Sequence, residues 1–388
     1  MKTIAFLGYH TDQNLGDPLI CQVVETLFKE RLPEDTDWRF FQLRNHFEGL
    51  AKTKKNKLVE KLVVFFRKVS HYVPWSIWDK IRVQLVSWGY RSRLRDVDWG
   101  IVAGGGIIHY RFHESWLGVC AFIKACNCER IPVVLNAVGV EGFDSENYKC
   151  KLLSHFLCYP NVRYISTRDD IETLKLYTKS SPRKKINRVI DPAIFCSDIF
   201  TIKKDTSSKT IGIGLIRSNI FNDYRTHYDG QHLANYYKDV CLEIQKRNLD
   251  WEFFTNGNPE DLTIVPEIER LLGKKIIVKT PSTVTELISI IASYKGIVSA
   301  RMHSCIVAYS LDVPAVAFVW NEKIAFWGRN IQKEDNYINM EKLSAALSVE
   351  TLSHDFGNEY NPVLRKQWEK GYLDSVDQAI SALLSNSK

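Results

Sequence analysis

The chain alternates short apolar runs of strand character with longer stretches of helical periodicity, and it does so in two successive sets. The first set occupies residues 2–190, and the second begins at residue 210. Strands that alternate with helices are typical of parallel βαβ units. The length of 388 residues favours two domains. We therefore predict an α/β protein with two doubly wound, Rossmann-like domains that face each other across a cleft.

The domain boundaries are predicted from a polar stretch at residues 201–209, which has no periodicity and which we take as the linker. We expect a first domain over residues 1–200 and a second over 208–360. Residues 361–388 have helical spacing and are predicted to pack back across both domains. The first domain should carry a basic, aromatic helical insertion at 52–95, with amphipathic helices at about 58–71 and 77–94.

Composition narrows the class of protein. No apolar run approaches the ~18 residues that a membrane span needs, and the apolar N-terminal stretch is too short for a secretory signal. Nine cysteines are scattered along the chain without a CxxC pair, which favours reduced core thiols over zinc ligands. We therefore expect a cytosolic protein that uses no metal and no cofactor.

The positive charge is concentrated in residues 52–95. Twelve basic and two acidic residues give this segment a net charge of +10, whereas the whole chain carries +7. Basic and aromatic residues on helical faces are typical of helices that lie at an anionic membrane surface. This pattern predicts peripheral association with the inner face of the cytoplasmic membrane. The alternative is that the apolar faces pack on the first domain and leave a solvated basic surface. No nucleic-acid-binding module accompanies the charge, so no nucleic-acid partner is expected.

Residues 299–318 have the pattern of a strand, a turn, a helix and a second strand. Arg301 and His303 fall where the first strand ends and the helix begins. Ligands of open α/β sheets bind at this edge, and a helix N-terminus favours an anion. A permanent cation and a proton-transfer residue two positions apart therefore indicate chemistry on an anionic substrate. A salt bridge and a capping contact are the simpler alternative.

Two loops of the first domain carry further candidates. In the loop at 9–18, Gly16 permits a close backbone approach, and Asp17 stands at a helix start, where it can cap the helix, face the cleft or do both. Gly104, Gly105 and Gly106 follow a strand and can let a ligand lie against backbone N–H groups. A tight turn is the alternative for these glycines.

Arg217 follows the first strand of the second domain. We expect it to project into the same cleft as Arg301, because both residues follow strands of one sheet. Two guanidiniums that converge on one site can hold a phosphate and a carboxylate in bidentate fashion. A surface position without function is the alternative for a single arginine of this kind.

These motifs, taken in order, resemble those of the polysaccharide pyruvyl transferase family. The resemblance extends over residues 4–330, and the family's usual leucine is replaced by Met302. The matching pieces are Asn14-x-Gly16-Asp17, Gly104-Gly105-Gly106, Thr167-Arg168-Asp169, Asp191-Pro192-Ala193, Arg301-Met302-His303 and Val313-Pro314 followed by Lys323.

The resemblance implies an architecture like that of GT-B glycosyltransferases. It also implies transfer of pyruvate from phosphoenolpyruvate to two hydroxyls of one sugar, as a cyclic ketal, in capsule or exopolysaccharide assembly. The acceptor would be a sugar or a lipid-linked oligosaccharide. The predicted catalytic residues are His303 and Asp17. The predicted phosphoenolpyruvate-binding residues are Arg301, Arg217 and Lys323, and the predicted acceptor-binding residues are Asn14, Gly16, Gly104, Gly105 and Gly106.

Two rival functions remain open at the level of sequence. A glycosyltransferase of the same architecture would use a nucleotide sugar and would release a nucleotide rather than phosphate. A sugar- or polymer-binding protein would show no turnover at all. The motifs alone therefore predict a donor site more sharply than they predict the acceptor.

Overall fold

The computed structural model describes residues 2–43, 74–111, 114–223 and 228–385. The chain divides into two compact units. The first unit comprises Met1–Thr11, Ile20–Ile190 and Gly371–Lys388, and the second comprises Asp12–Leu19 and Asp191–Lys370. The helix predicted at about 58–71 lies outside the described residues, as does the part of the basic segment at 52–73.

A parallel sheet forms the core of the first unit. Its spatial order is β2-β1-β3-β5-β6-β7, and β4 pairs in parallel with β5. β1, β3 and β5 are buried along their whole length, which explains their continuous apolar sequences. The strands are β1 (Thr3–Gly8), β2 (Asp37–Gln42), β3 (Trp99–Ala103), β4 (Gly106–Ile108), β5 (Val133–Val140), β6 (Val162–Thr167) and β7 (Lys185–Arg188).

Of the helices that connect these strands, all but the first contribute buried apolar side chains to one core with the sheet. The first of them begins in the loop that belongs to the second unit and continues into the first. The described helices are α1 (Gly16–Lys29), α2 (Trp75–Arg91), α3 (Ser115–Cys128), α4 (Tyr148–Leu157) and α5 (Ile171–Thr178).

The second unit has its own parallel sheet, in the order β10-β9-β8-β11-β12-β13. The order runs outwards in both directions from β8 and β11, so the topological switch point lies between these two strands. The strands are β8 (Thr210–Gly214), β9 (Asp250–Phe254), β10 (Val278–Lys279), β11 (Gly296–Ser299), β12 (Ala315–Val319) and β13 (Tyr337–Asn339).

Helices alternate with these strands, and four of the eight described helices begin at a side-chain cap. The side chain of Thr283, for example, accepts a hydrogen bond from the backbone N–H of Glu286 at 3.1 Å. The described helices are α6 (Cys196–Ile199), α7 (Ile220–Asp223), α8 (Gly230–Lys246), α9 (Val265–Leu272), α10 (Val284–Ala292), α11 (Met302–Ser310), α12 (Glu322–Asn330) and α13 (Ala345–His354). Short 3₁₀ helices lie at Pro192–Phe195, Pro259–Ile264, Glu334–Asn336 and Met340–Lys342.

The last helix, α14 (Pro362–Leu384), contributes to both units, since the division falls between Lys370 and Gly371. In its first part, Trp368 donates its indole N–H to the carbonyl of Asn330 at 2.9 Å. In its second part, Ser375 makes a buried 2.7 Å hydrogen bond with the hydroxyl of Tyr164. Within the described residues, no helix is both long enough and apolar enough to cross a membrane.

The passage from the first to the second unit comes at Ile190 and Asp191. The stretch at 201–209, where the sequence predicts a linker, is a loop of the second unit. The segment before it packs on α11, because Ser310 donates its hydroxyl to the carbonyl of Ile194 at 2.7 Å and accepts the backbone N–H of Ser197 at 2.9 Å. These contacts attach the segment that contains Ile194 and Ser197 to α11 of the second unit.

Candidate active site

The candidate site is built where three neighbouring strands of the second sheet end. β8 pairs with both β9 and β11, so the loops that follow these strands leave the same edge of the sheet. Arg217 follows β8, Asp261 lies in the 3₁₀ helix after β9, and Arg301 follows β11. This edge includes the topological switch point, which is the usual ligand position in open α/β sheets.

Arg301 is held by a buried carboxylate. Its Nε donates to Oδ2 of Asp261 at 3.0 Å, and its Nη2 donates to Oδ1 of the same residue. The Asp261 side chain is fully buried, whereas that of Arg301 is 14% exposed. Burial raises the pKa of the Asp261 carboxyl, and the Arg301 guanidinium opposes that shift. The bidentate pair fixes the direction of the guanidinium and leaves its other N–H donors for a ligand.

The same carboxylate also anchors the loop that carries Arg217. Oδ1 of Asp261 accepts the backbone N–H of Arg217 at 3.0 Å. The Arg217 side chain donates to Oδ1 of Asn219 at 3.3 Å and lies 3.7 Å from Oε2 of Glu260. Asp261 thus brings together the two arginines that the sequence predicts to share a site, although their guanidiniums have different partners.

His303 occupies the first turn of α11 and is 8% exposed. The backbone of Gly16 lies directly against its ring, since a Cβ atom built on Gly16 would stand 2.0 Å from Nδ1 of His303. On the other side of the ring, Nε2 lies 3.9 Å from Oδ2 of Asp191, which is also buried. Only a glycine at position 16 is compatible with this approach.

The loop Asp12–Leu19 brings Asn14 and Asp17 to the second unit. The backbone N–H of Leu15 donates to the carbonyl of Asn256 at 2.9 Å, which ties the loop to the segment after β9. Within the loop, Nδ2 of Asn14 lies 3.4 Å from Oδ2 of Asp17, and both side chains are half-buried. The structure therefore places Asp17 one residue from the glycine that contacts His303.

Lys323 lies in the first turn of α12 and is half-buried. The helix follows β12, the neighbour of β11, so Lys323 belongs to the same edge of the sheet as Arg301. The helix start is fixed by Asn321, whose side chain accepts the backbone N–H of Ile324 at 3.2 Å. Lys323 therefore adds a third basic residue to this edge.

The three glycines of the first unit have a structural task in the sheet. The carbonyl of Gly105 accepts the backbone N–H of Gly139 at 2.9 Å, and a Cβ atom on Gly139 would stand 2.8 Å from the Cα of Gly106. Gly104 has a φ of +115°, in the region that favours glycine. Close approach of β4 and β5 accounts for this run, and its role in acceptor binding stays a prediction.

Three residues of the site were not predicted as functional. Asp261 orients both arginine segments, Asp191 lies beside His303, and Ser304 donates its hydroxyl to Oδ1 of Asn256 at 2.6 Å. Asp191 stands in a motif that the sequence singled out, and a polar residue after a strand is the signal that all of them share. None of them carries a recognisable spacing to its partner, because the partners come from other loops.

Cys305 lies two residues after His303 and is not a candidate nucleophile. Burial raises the pKa of its thiol to about 12, so the group is protonated at neutral pH. Among the residues that the structure describes, no group of three or more His, Cys, Asp and Glu side chains is arranged to hold a metal ion.

Fold and site together define a two-unit parallel α/β protein with three basic residues at the edge of its second sheet that includes the switch point. The solved structures with this fold include UDP-N-acetylglucosamine 2-epimerases. The enzyme from Methanocaldococcus jannaschii aligns with a TM-score of 0.60 at 13% identity, over 99% of both chains. The enzyme from Neisseria meningitidis, bound to UDP-GlcNAc, gives 0.57 at 11% identity over 100% of both chains. The enzyme from Rickettsia bellii gives 0.56 at 16% identity, over 100% of this chain and 96% of the other.

These likenesses confirm the predicted GT-B-like fold class and, at such low identity, concern the fold alone. The chain itself belongs to the polysaccharide pyruvyl transferase family, whose model matches residues 14–322. The family resemblance predicted from the sequence is thereby confirmed, and with it the class of transferase. No curated protein sequence matches the chain.

Proposed function

We propose that the protein is a ketal pyruvyltransferase that moves pyruvate from phosphoenolpyruvate to two hydroxyls of one sugar in the synthesis of a surface polysaccharide, such as a capsule or an exopolysaccharide. The observation that carries the proposal is the arrangement at the switch point. Arg301 and the Arg217 segment are both anchored on Asp261, and His303 stands two residues beyond Arg301. Family membership supports the same class of reaction.

In this proposal, Arg301, Arg217 and Lys323 bind the phosphate and the carboxylate of phosphoenolpyruvate. The first turn of α11 adds oriented N–H groups that favour an anion. Fixing Arg301 on Asp261 keeps its remaining donors in place before the substrate arrives, which lowers the cost of ordering them. Phosphoenolpyruvate carries two anionic groups, and the three basic side chains of this edge provide more than one cation to match them.

Formation of the ketal requires proton transfers that accompany the making and breaking of carbon–oxygen bonds. Two sugar oxygens form bonds to the central carbon, the bond from that carbon to the bridging phosphate oxygen breaks, and the methylene carbon gains a proton and becomes a methyl group. The two hydroxyls lose one proton each, so one proton goes to the methylene carbon and the other leaves with phosphate. We assign proton donation to His303 and removal of a hydroxyl proton to Asp17.

The acceptor is proposed to be a sugar or a lipid-linked oligosaccharide, and Asn14, Gly16, Gly104, Gly105 and Gly106 remain its proposed contacts. Delivery at an anionic membrane surface is supported by α2, where Trp75, Ile77 and Trp88 are 65%, 50% and 55% exposed. Large apolar side chains on a basic segment favour an interfacial position. Salt-sensitive sedimentation with anionic but not neutral vesicles, lost in Trp75→Ser/Trp88→Ser, would support this site of action. Equal, negligible binding to both would favour a soluble acceptor.

The decisive experiment is to incubate the purified protein with phosphoenolpyruvate and a panel of free and lipid-linked saccharides. The proposal requires release of phosphate and an acceptor mass gain of one pyruvate less one water. A nucleotide sugar consumed with release of nucleotide would instead identify the glycosyltransferase alternative. Because the proposed steps use side chains alone, activity should survive EDTA. Loss that a divalent cation restores would favour the nucleotide-sugar reaction.

A further inference from the structure

The carboxylate of Asp191 has one oxygen committed to the backbone and one directed to His303. Asp191 caps the 3₁₀ helix Pro192–Phe195, because its Oδ1 accepts the N–H of Ala193 at 2.9 Å. Pro192 stands at the first helical position, where a residue without an N–H leaves no donor unsatisfied. Oδ2 is the atom that lies 3.9 Å from Nε2 of His303. The cap therefore fixes the carboxylate in the position from which it faces the imidazole.

The separation of 3.9 Å is too long for a direct hydrogen bond but short for two groups that carry opposite charge. The Asp191 and His303 side chains are 3% and 9% exposed, so water screens the interaction weakly. A charge on the imidazole ring is accordingly stabilised by the carboxylate. Catalytic contacts of this length often shorten when substrate binds.

The two ring nitrogens of His303 have different surroundings. Nε2 faces Asp191, whereas Nδ1 lies against the backbone of Gly16, next to Asp17. The other nearby charge on the same helix start is Arg301, which is neutralised by Asp261. Rotation of the ring is restricted between the Gly16 backbone on one side and the Asp191 carboxylate on the other.

We infer that Asp191 is a positioning residue for His303. Its carboxylate holds a proton on Nε2, fixes the orientation of the ring and stabilises the imidazolium form, so that Nδ1 is the nitrogen presented on the side of Gly16 and Asp17. The inference rests on the proposed role of His303 as the proton donor. In this inference, the Asp191-Pro192-Ala193 segment positions His303 in addition to starting a short helix.

The variant Asp191→Asn tests this assignment, because asparagine is as good an N-cap as aspartate and keeps the shape of the side chain while removing its charge. We expect kcat for pyruvyl transfer to fall roughly 10–100-fold, as for other residues that orient a catalytic group. The KM for phosphoenolpyruvate should change less than about threefold, since the anion-binding residues are untouched. The limb of the pH–rate profile that reports the imidazolium should move to lower pH.

Asp170→Asn is the matched control. Asp170 also caps a helix through its carboxylate, with hydrogen bonds from Glu172 and Thr173, but it lies in the first unit and its charge faces no histidine of the site. This variant should leave kcat and the pH profile unchanged. If Asp191→Asn folds poorly, Asp191→Ser offers an alternative cap without charge.

NMR titration of isotope-labelled histidine provides a readout that does not need turnover. The His303 signal, assigned with His303→Gln, should titrate at lower pH in Asp191→Asn than in the wild type. Identical titration in both proteins, or an unchanged kcat, overturns the inference while leaving the pyruvyltransferase proposal intact. A wild type that titrates as expected but transfers no pyruvate overturns the proposed function and keeps the Asp191–His303 coupling.

Discussion

Each sheet carries a histidine at the carboxyl edge near its switch point, and the two residues have opposite surroundings. His10 follows β1 of the first sheet, where its ring packs edge-on against Phe6 and Phe40 with centroids 4.9 and 5.0 Å away. Burial lowers the pKa of His10 to about 4, and a 3.2 Å contact with the carbonyl of Phe6 only partly opposes the shift. His303 follows β11 and faces the Asp191 carboxylate.

His10 and His303 thus occupy similar strand-end positions, but only the surroundings of His303 suit the catalytic role proposed for it. His10 is neutral at physiological pH and serves the packing of the first unit. His303 lies in the first turn of α11 and faces the Asp191 carboxylate. It is two residues from Arg301, which is itself paired with the Asp261 carboxylate. Surrounding charge, rather than location on the sheet, therefore separates the two roles. Four measurements test this contrast.

The largest expected difference is in turnover. His303→Ala should lower kcat by roughly 10²–10⁴-fold, the usual range for loss of a general acid or base. His10→Gln should leave kcat within a few-fold, because its ring packs against Phe6 and Phe40 of the first unit and burial keeps it neutral. Steady-state assays of phosphate release would measure both. A His303→Ala protein with near-normal kcat would remove the basis of the comparison.

Replacement of Arg301, two residues before His303, should mainly lower the stability of the folded protein. Arg301→Ala leaves the fully buried Asp261 carboxylate without its bidentate partner, at a cost of about 3–5 kcal/mol. Because burial raises the pKa of Asp261, the loss should be smaller at acidic pH, where the carboxyl can be protonated. Urea denaturation at two pH values would test this.

Arg301→Lys serves as the control for that measurement, since it keeps the charge but not the paired N–H donors. It should be destabilised less than Arg301→Ala and should still bind phosphoenolpyruvate more weakly than the wild type. Equal stability of Arg301→Ala and the wild type would show that the pair with Asp261 is not a structural element of the site.

Gly16→Ala should act on His303 from the other side of the ring. The added Cβ would stand 2.0 Å from Nδ1 and must displace the imidazole. A displacement of about 1 Å can cost on the order of 100-fold in rate. Gly371→Ala is the control, because a Cβ there meets nothing within 4 Å. It should leave kcat unchanged and stabilise α14 by about 0.5–1 kcal/mol.

The smallest effect concerns the pH dependence of stability. The pKa of His10 is about 4 in the folded protein and 6.5 as its ordinary value, so the unfolded chain binds the extra proton between these limits. Stability should therefore fall as the pH is lowered from 6.5 towards 4, by about 1.4 kcal/mol per pH unit from this residue. His10→Gln should flatten that part of the unfolding curve. An unchanged slope would mean that folding does not shift the pKa of His10.

The sequence predicts interior strands better than edge strands. The apolar run at 99–103 predicts a strand, and β3 has these bounds, since a strand buried on both faces has a continuous apolar sequence. At the edges, the sequence does not predict β7 (Lys185–Arg188), because its residues are partly exposed and mostly polar. The sequence pattern at 275–278 predicts a strand, of which only Val278 belongs to β10 (Val278–Lys279), and the pattern does not predict β13.

A similar limit applies to the site. Arg301 and His303 were identifiable because they share one strand–helix junction, and Gly16 and Asp17 because a glycine precedes a helix start. Asp261 could not be paired with Arg301 from the sequence, since they lie 40 positions apart and their contact depends on the order of the strands. Short sequence motifs predict which loops belong to the candidate site. Which side chain orients another depends on contacts between loops that are far apart in the sequence.

The division of α14 between the two units has a consequence for the synthesis of the protein. Ser375 and Tyr372 supply buried hydrogen bonds to Tyr164 and Asn136, residues made long before them. A ribosome adds ~5–20 residues per second. About 10–40 s therefore pass between the synthesis of residue 190 and the synthesis of the helical segment that completes the first unit. During that interval its partly covered core is exposed to chaperones and proteases. A first half expressed without residues 371–385 should therefore aggregate, and the same half supplied with that helix as a separate peptide should recover solubility.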